Sequence, residues 1–369
     1  MKLFACTYCG QLLQFENTRC EKCSHKLGFV AETLQLFPLV EEGVLFSLYT
    51  NSPEKKYRYC DNHAFEVCNW LVDDSSYSRY CAACSLNQTI PDLNKNEYRQ
   101  RWTIIEAAKH RLIYTLLKLK LPIISKETDA DKGLSFDFMA DEQNSEQRIM
   151  TGHDNGLITL NIAEADDAER EMARRSMAEP YRTVLGHFRH EVGHYYWDHL
   201  IDGTPNLEPY RKLFGDEQLD YGEALKIHYK EGAPPDWHEH FISSYASTHP
   251  WEDWAETWAH YLHILDTLET ASAFGLSIRP GVVQDASGLS AVIEADPFRL
   301  ENFDDIISIW LPLVFAMNSI NRSMGLPDLY PFVIPLKVIE KLKFIHEVCL
   351  RSRQDAELVS NRKDREVVT

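Results

Sequence analysis

Long apolar runs are missing from this chain of 369 residues. None reaches the ~18 residues that a bilayer span needs. The longest candidate, 306–317, is shorter and contains Pro312, so it reads as a buried helix. Met1-Lys2-Leu3-Phe4-Ala5-Cys6 ends like a lipoprotein cleavage box but carries no apolar h-region ahead of its cysteine. A secretory signal is therefore not expected, and the expected compartment is the cytoplasm. Basic charge is scarce beyond residue 120, where 23 Lys and Arg face 43 Asp and Glu; the first 120 residues hold 15 and 13. A body that acidic repels phosphate backbones, which argues against nucleic acid as its partner. Cysteine is nearly absent from the same body, since Cys349 alone among nine lies past residue 84. At 44% hydrophobic and 25% charged residues, the composition excludes disorder, collagen and coiled coil as global descriptions.

What is present is concentrated. In a reducing compartment the eight clustered cysteines are not expected to form disulfides. Cys6-x2-Cys9 and Cys20-x2-Cys23 are knuckle spacings with ten residues between them, and Gly10 supplies a tight turn after the first. Two such knuckles make a tetrahedral four-sulfur site suited to zinc. A redox role is disfavoured because no βαβ pattern surrounds either pair. In the second group Cys81-x2-Cys84 is a regular knuckle, and its partner is either Cys60 with Cys68 or Cys60 with His63. The set Cys60, Cys68, Cys81 and Cys84 is preferred, because it leaves no free thiol beside a metal. Each zinc supplies folding free energy that a short segment cannot draw from its own core. Lys2, Arg19, Lys22 and Lys26 form no dense basic run. That favours a structural staple, or contact with a protein partner, over nucleic acid.

The expected organisation is an α+β chain: a zinc ribbon over residues 1–33, a second cysteine-rich segment over 34–92, a mainly helical domain with a small sheet over 93–352, and a charged, frayed tail over 353–369. Apolar spacing predicts a helix over 97–120, strands over 134–139 and 157–162 around the turn Asp154-Asn155-Gly156, and helices over 165–178, 180–200, 221–231, 250–274, 303–324 and 335–352. Pro180 and Pro250 stand where helices can begin, since proline's missing N–H costs nothing in a first turn.

The residues that carry chemistry are His190-Glu191-Val192-Gly193-His194. On a helix, positions i and i+4 share a face, so both imidazoles can reach one metal while Glu191, one step round, accepts a proton from the attacking water. Two histidines need a third ligand. A metzincin would place Gly at 197 and His at 200, but Trp197 and Leu200 stand there. The better source is the stretch Pro250-Trp251-Glu252-Asp253-Trp254-Ala255-Glu256, where Glu252 and Glu256 lie one turn apart on a tryptophan-rich helix. Buried carboxylates are rare unless paired or bound to metal. Glu252 is taken as the ligand and Glu256 as the carboxylate that orients an imidazole; the reverse assignment is the alternative.

With these motifs together, the chain resembles the gluzincin-type zinc-binding metallopeptidases that carry N-terminal zinc-ribbon segments. The resemblance runs through 6–23, 60–93, 190–194 and 249–256. It implies a gluzincin, zincin-like fold and zinc, but no substrate; the expected reading is a zinc hydrolase with one catalytic and two structural zincs, acting on a peptide or protein. An oxyanion donor is also needed. Tyr245, seven residues before Glu252, is similarly placed to the tyrosine of some toxin-like gluzincins; His238, His240 and His249 compete with it. His260 and His263 are expected to pack or to orient ligands. Two rival readings remain: a zinc-ribbon scaffold with a silent HExxH motif, and a zinc hydrolase acting on a non-peptide amide.

Overall fold

The N-terminal third of the chain is strand-rich, as its short β-branched and aromatic runs predict. A computed structural model describes residues 2–50, 55–141, 149, 151–176, 183–282 and 286–367. It divides into one unit of residues 1–118 with 123–170 and another of 119–122 with 171–369.

In the first unit, β1 (Phe4–Ala5) and β2 (Leu12–Leu13) pair as a hairpin around the first knuckle. Strands β3 (Leu27–Val30), β4 (Gln35–Glu42), β5 (Leu45–Leu48), β6 (Lys56–Tyr59) and β7 (Leu71–Asp73) form an antiparallel sheet in sequence order. The boundary expected after residue 33 is therefore not a boundary, because the β3–β4 hairpin spans it. The reason lies in the core. Phe15 from the first ribbon, Phe29 from β3, Trp70 and Tyr114 interlock, with ring centroids 4.6 Å apart for Phe29–Trp70 and 5.4 Å for Phe15–Tyr114. The Asn69 amide also donates to the Phe15 and Asn17 carbonyls. Neither cysteine segment could bury these rings alone.

Next come β8 (Asn87–Thr89), α1 (Asn96–Lys118), β9 (Ser135–Met139), β10 (Gly152–Asp154) and β11 (Leu157–Asn161). They make a second sheet ordered β10-β11-β9-β8, in which β8 and β9 are parallel and α1 is the crossover. Asn155 and Gly156, at φ of 47° and 83°, form the tight turn that the Asn-Gly pair predicts. The sequence places α1, β9, β10 and β11 in the helical domain starting at residue 93; they cluster instead with the ribbons.

The second unit is helical. α2 (Asp167–Ser176) leads into it, followed by α3 (Val184–Leu200), α4 (Leu207–Phe214), α5 (Tyr221–Glu231), α6 (Trp237–His240) and α7 (Pro250–Ala273). β12 (Ser277–Ile278) pairs with β13 (Ala291–Val292), and α8 (Phe303–Ser323) and α9 (Leu336–Val367) complete the unit. The helix expected from Pro180 begins at Val184, because Thr183 is extended and its hydroxyl caps the Gly186 N–H; Pro180 itself lies outside the described residues. Pro250 does open α7, with the His249 ring accepting from the Trp251 N–H as cap.

Packing of α3 on α7 positions the candidate site. Val192, Tyr196, Trp254, Trp258 and Tyr261 are fully or almost fully buried between and around them. The Trp254 indole donates to the Gly193 carbonyl at 2.8 Å. A methyl at Gly193 would lie 3.0 Å from the Ala255 Cα and 3.3 Å from Trp258, so glycine is what permits this approach.

Two expectations are corrected here. The run 306–317 belongs to a 21-residue helix, α8, that buries Ile306, Ile307, Trp310 and Leu313 but exposes Leu311 and Phe315. By length and composition α8 could cross a membrane. The segment 353–369, expected to fray, continues α9 to Val367, held by Arg353 on the Phe298 carbonyl and Lys120 on Glu357.

Candidate metal centres

The sulfurs of Cys6, Cys9, Cys20 and Cys23 lie together, as do those of Cys60, Cys68, Cys81 and Cys84. All nine cysteines are free thiols. The Sγ–Sγ separations of 3.7 Å for Cys6–Cys23, 3.6 Å for Cys9–Cys20 and 3.7 Å for Cys68–Cys81 are too long for disulfides. They match the edge of about 3.8 Å that a tetrahedron with Zn–S of about 2.3 Å requires. Knuckle geometry explains the local fold: the Gly10 N–H returns to the Cys6 carbonyl and the Ser24 N–H to that of Cys20, with both residues at positive φ. In the second centre the Trp70, Cys81 and Cys84 N–H groups point at the sulfurs of Cys68, Cys60 and Cys81, each at 3.4 Å. His63 is not among the ligands. Its Nδ1–H donates to the Cys68 carbonyl at 2.7 Å and its ring stacks on Tyr59.

Beside the second centre α1 presents three buried ionisable groups that the sequence reading passed over. His110 Nε2 is 3.6 Å from Cys84 Sγ and 3.9 Å from Cys81 Sγ, and its Nδ1–H donates to the Glu106 carbonyl. The side chains of Lys109 and Glu106 are fully buried and paired at 2.9 Å, with Lys109 also on Asn87. The signal was available, since Glu106, Lys109 and His110 lie on the same helical face as Trp102, Ile105 and Ile113.

The second unit brings His190, His194 and Glu252 together, all buried, with one donor atom of each within 4.8 Å of the others. Glu252 Oε2 lies 3.0 Å from His190 Nε2 and 3.7 Å from His194 Nε2. It is buried and has no hydrogen-bond donor. Meanwhile the His190 Nδ1–H donates to Glu256 Oε1 at 2.7 Å, and Ser243 donates to Glu256 Oε2 at 2.6 Å. That commitment turns Nε2 toward a carboxylate oxygen, so a proton or a metal ion must lie between them. These residues fit a zinc ion. Glu256 lies against an imidazole N–H, and Glu252 faces Nε2 of both rings. Burial lowers the affinity of the His190 ring for a proton, but the two carboxylates outweigh it and hold that ring well above its ordinary pKa. Burial would raise Glu252, yet the charge of His194 and the His190 contact keep it well below the usual carboxylate range.

Glu191 lies on the same helix, with Oε1 3.2 Å from His187 Nε2. Despite burial, the His187 contact holds its carboxyl below the ordinary value. Tyr245 is also at the site, its ring 6.1 Å from that of His190. At the same Glu252 stands a phenol the sequence reading missed, Tyr221, which donates to Glu252 Oε1 at 2.6 Å. His187 repeats the i, i+4 spacing of the motif one turn earlier, whereas nothing local marks Tyr221. The competing histidines are elsewhere. His249 caps α7 and donates to the Leu219 carbonyl, and His238 and His240 are exposed on α6. His260 pairs with the Tyr330 hydroxyl, its pKa lowered to about 4 by burial, and His263 lies beside Arg189.

Comparison with known proteins agrees with both halves of this description. The profile of a family described as "Putative zinc-binding metallo-peptidase" matches residues 98–348. A zinc-ribbon domain profile matches residues 3–95. Relatives described as uncharacterized proteins in Mycobacterium bovis and in two strains of Mycobacterium tuberculosis are each 41% identical over 364 residues, covering 98% of this chain and 99% of theirs. No solved structure matches the chain significantly.

Proposed function

The chain belongs to the zinc-binding metallopeptidase family and carries an N-terminal zinc-ribbon domain, and from that premise we propose that it is a gluzincin-type peptidase with one catalytic and two structural zincs. His190, His194 and Glu252 hold the catalytic ion. When bound there, zinc polarises the scissile carbonyl and lowers the pKa of a water molecule toward neutrality. The protein's own groups do the rest. Glu191 takes the proton from the attacking water and passes it to the leaving amine. His187 fixes the Glu191 carboxylate, and Glu256 with Ser243 fixes the His190 ring. Tyr245 donates its phenolic proton to the developing oxyanion. The ribbons staple the N-terminal unit and present a surface for a protein partner.

The observation that carries this reading is the donorless Glu252 oxygen facing both imidazoles. It calls for a cation at this site, and the Glu191→Gln variant below separates catalysis from metal binding alone. The test uses the full chain. Metal analysis should give three zincs, falling to two in His190→Ala/His194→Ala. Glu191→Gln should keep three zincs and abolish cleavage of a diverse peptide library. A wild-type chain holding three zincs that cleaves no peptide would refute the peptidase reading.

A further inference from the structure

Glu252 has two oxygens with different duties. Oε2 faces the imidazoles, while Oε1 accepts the Tyr221 hydroxyl at 2.6 Å. Tyr221 is the first residue of α5, a helix with no buried residue. The segment carrying α5 lies between Gly215 and Gly232, whose φ values of 108° and 80° favour glycine. It is tied to the start of α7 at three points: Tyr221 on Glu252, the Leu219 carbonyl on the His249 ring, and the Tyr221 ring against His249 and Trp251. Beyond Tyr221 the exposed Ile227 and Tyr229 contribute little burial.

Resting on the zinc reading above, we propose that Tyr221 is a positioning residue for the metal ligand Glu252 and that it latches α5 over the catalytic centre in step with metal occupancy. With Oε1 committed to the phenol, Glu252 presents a single oxygen to the ion in a fixed orientation. Outer hydrogen bonds of this kind set the affinity of a metal site. The coupling is reciprocal: whatever orders the Glu252 carboxylate favours the Tyr221 contact, and the contact favours the ordered carboxylate. Apart from the Leu219–His249 tie, the Arg211–Glu217 pair and the His228 ring against Tyr245, nothing buried among the described residues holds α5, so its local opening reports the state of the ion.

The experiment compares wild type, Tyr221→Phe and Tyr229→Phe as full chains, with zinc removed and restored through a chromophoric chelator. Phenylalanine keeps the ring against His249 and Trp251, so a purely packing role leaves the result unchanged. Tyr221→Phe is expected to weaken the most readily released zinc by about 10–100-fold, while Tyr229→Phe and the two sulfur-bound zincs stay as in wild type. In wild type, zinc should slow amide hydrogen exchange across 222–231; in Tyr221→Phe it should not. Wild-type affinity in Tyr221→Phe, or exchange indifferent to zinc in the wild type, overturns the latch. If His190→Ala/His194→Ala loses no zinc at all, the catalytic-site reading fails instead.

Discussion

Gly193→Ala places one methyl where α3 and α7 touch. Its carbon would sit 3.0 Å from the Ala255 Cα and 3.3 Å from Trp258, whereas carbon atoms rest at about 3.5–4.0 Å. The Ala255 contact is backbone and cannot rotate away, so the helices must part by about 0.5–1 Å. Overpacking of this kind costs about 1–3 kcal/mol. Alanine recovers about 1 kcal/mol through its higher helix propensity, leaving a net loss of about 0–2 kcal/mol. For a unit of about 200 residues that lowers Tm by at most about 8 °C. The metal site is less forgiving. His190 and His194 lie on α3 and Glu252 on α7, and metal–ligand distances tolerate only about 0.2 Å. Zinc affinity at the HExxH centre should therefore fall at least about tenfold, equivalent to about 1.4 kcal/mol, with the protein still folded. Chelator competition and thermal unfolding in EDTA measure the two effects separately. A folded Gly193→Ala chain that binds this zinc as tightly as wild type would refute the argument that helix spacing sets the ligand geometry.

Other outcomes follow from the same contacts. Glu256→Ala strips the His190 Nδ1–H and the Ser243 hydroxyl of their acceptor, and zinc affinity should drop about 10–100-fold by the same titration. Cys84→Ser should remove one zinc from the metal count and destabilise the N-terminal unit, because the second sulfur cluster adjoins the packed face of α1. Glu106→Gln leaves the Lys109 ammonium buried without its charged partner, costing about 3–5 kcal/mol in denaturant unfolding, whereas Glu106→Gln/Lys109→Met should recover most of that loss. A double variant as unstable as the single one would show that the pair is not what that cost measures.

Most helices of the second unit were readable from apolar spacing, and several limits agree to within a residue or two: Tyr221–Glu231, Pro250–Ala273 and Phe303–Ser323. Boundaries failed where distant partners intervene. α9 runs beyond residue 352 because Arg353 and Lys120 find acceptors that no window of sequence contains. The division between ribbons failed for a related reason: Phe15, Phe29, Trp70 and Tyr114 come from four segments and share one core.

The candidate centres divide along the same line. Knuckle pairs and His190-Glu191-x-x-His194 are local patterns, whose meaning follows from the pitch of a helix and the tightness of a turn, so the sequence alone establishes them. Packing gathers the Cys68 sulfur with those of Cys60, Cys81 and Cys84, and gives His63 a carbonyl and a tyrosine ring. It also gives Glu252 and Glu256 different neighbours. Both lie on one helix face, and the rotation and spacing of α3 against α7 turn one carboxylate toward two imidazole lone pairs and the other toward an N–H. Tyr221 and the buried Glu106–Lys109–His110 group entered the same way. Spacing along a chain fixes which side chains share a face, while what that face meets depends on elements dozens of residues away, and it is there that a carboxylate becomes a ligand.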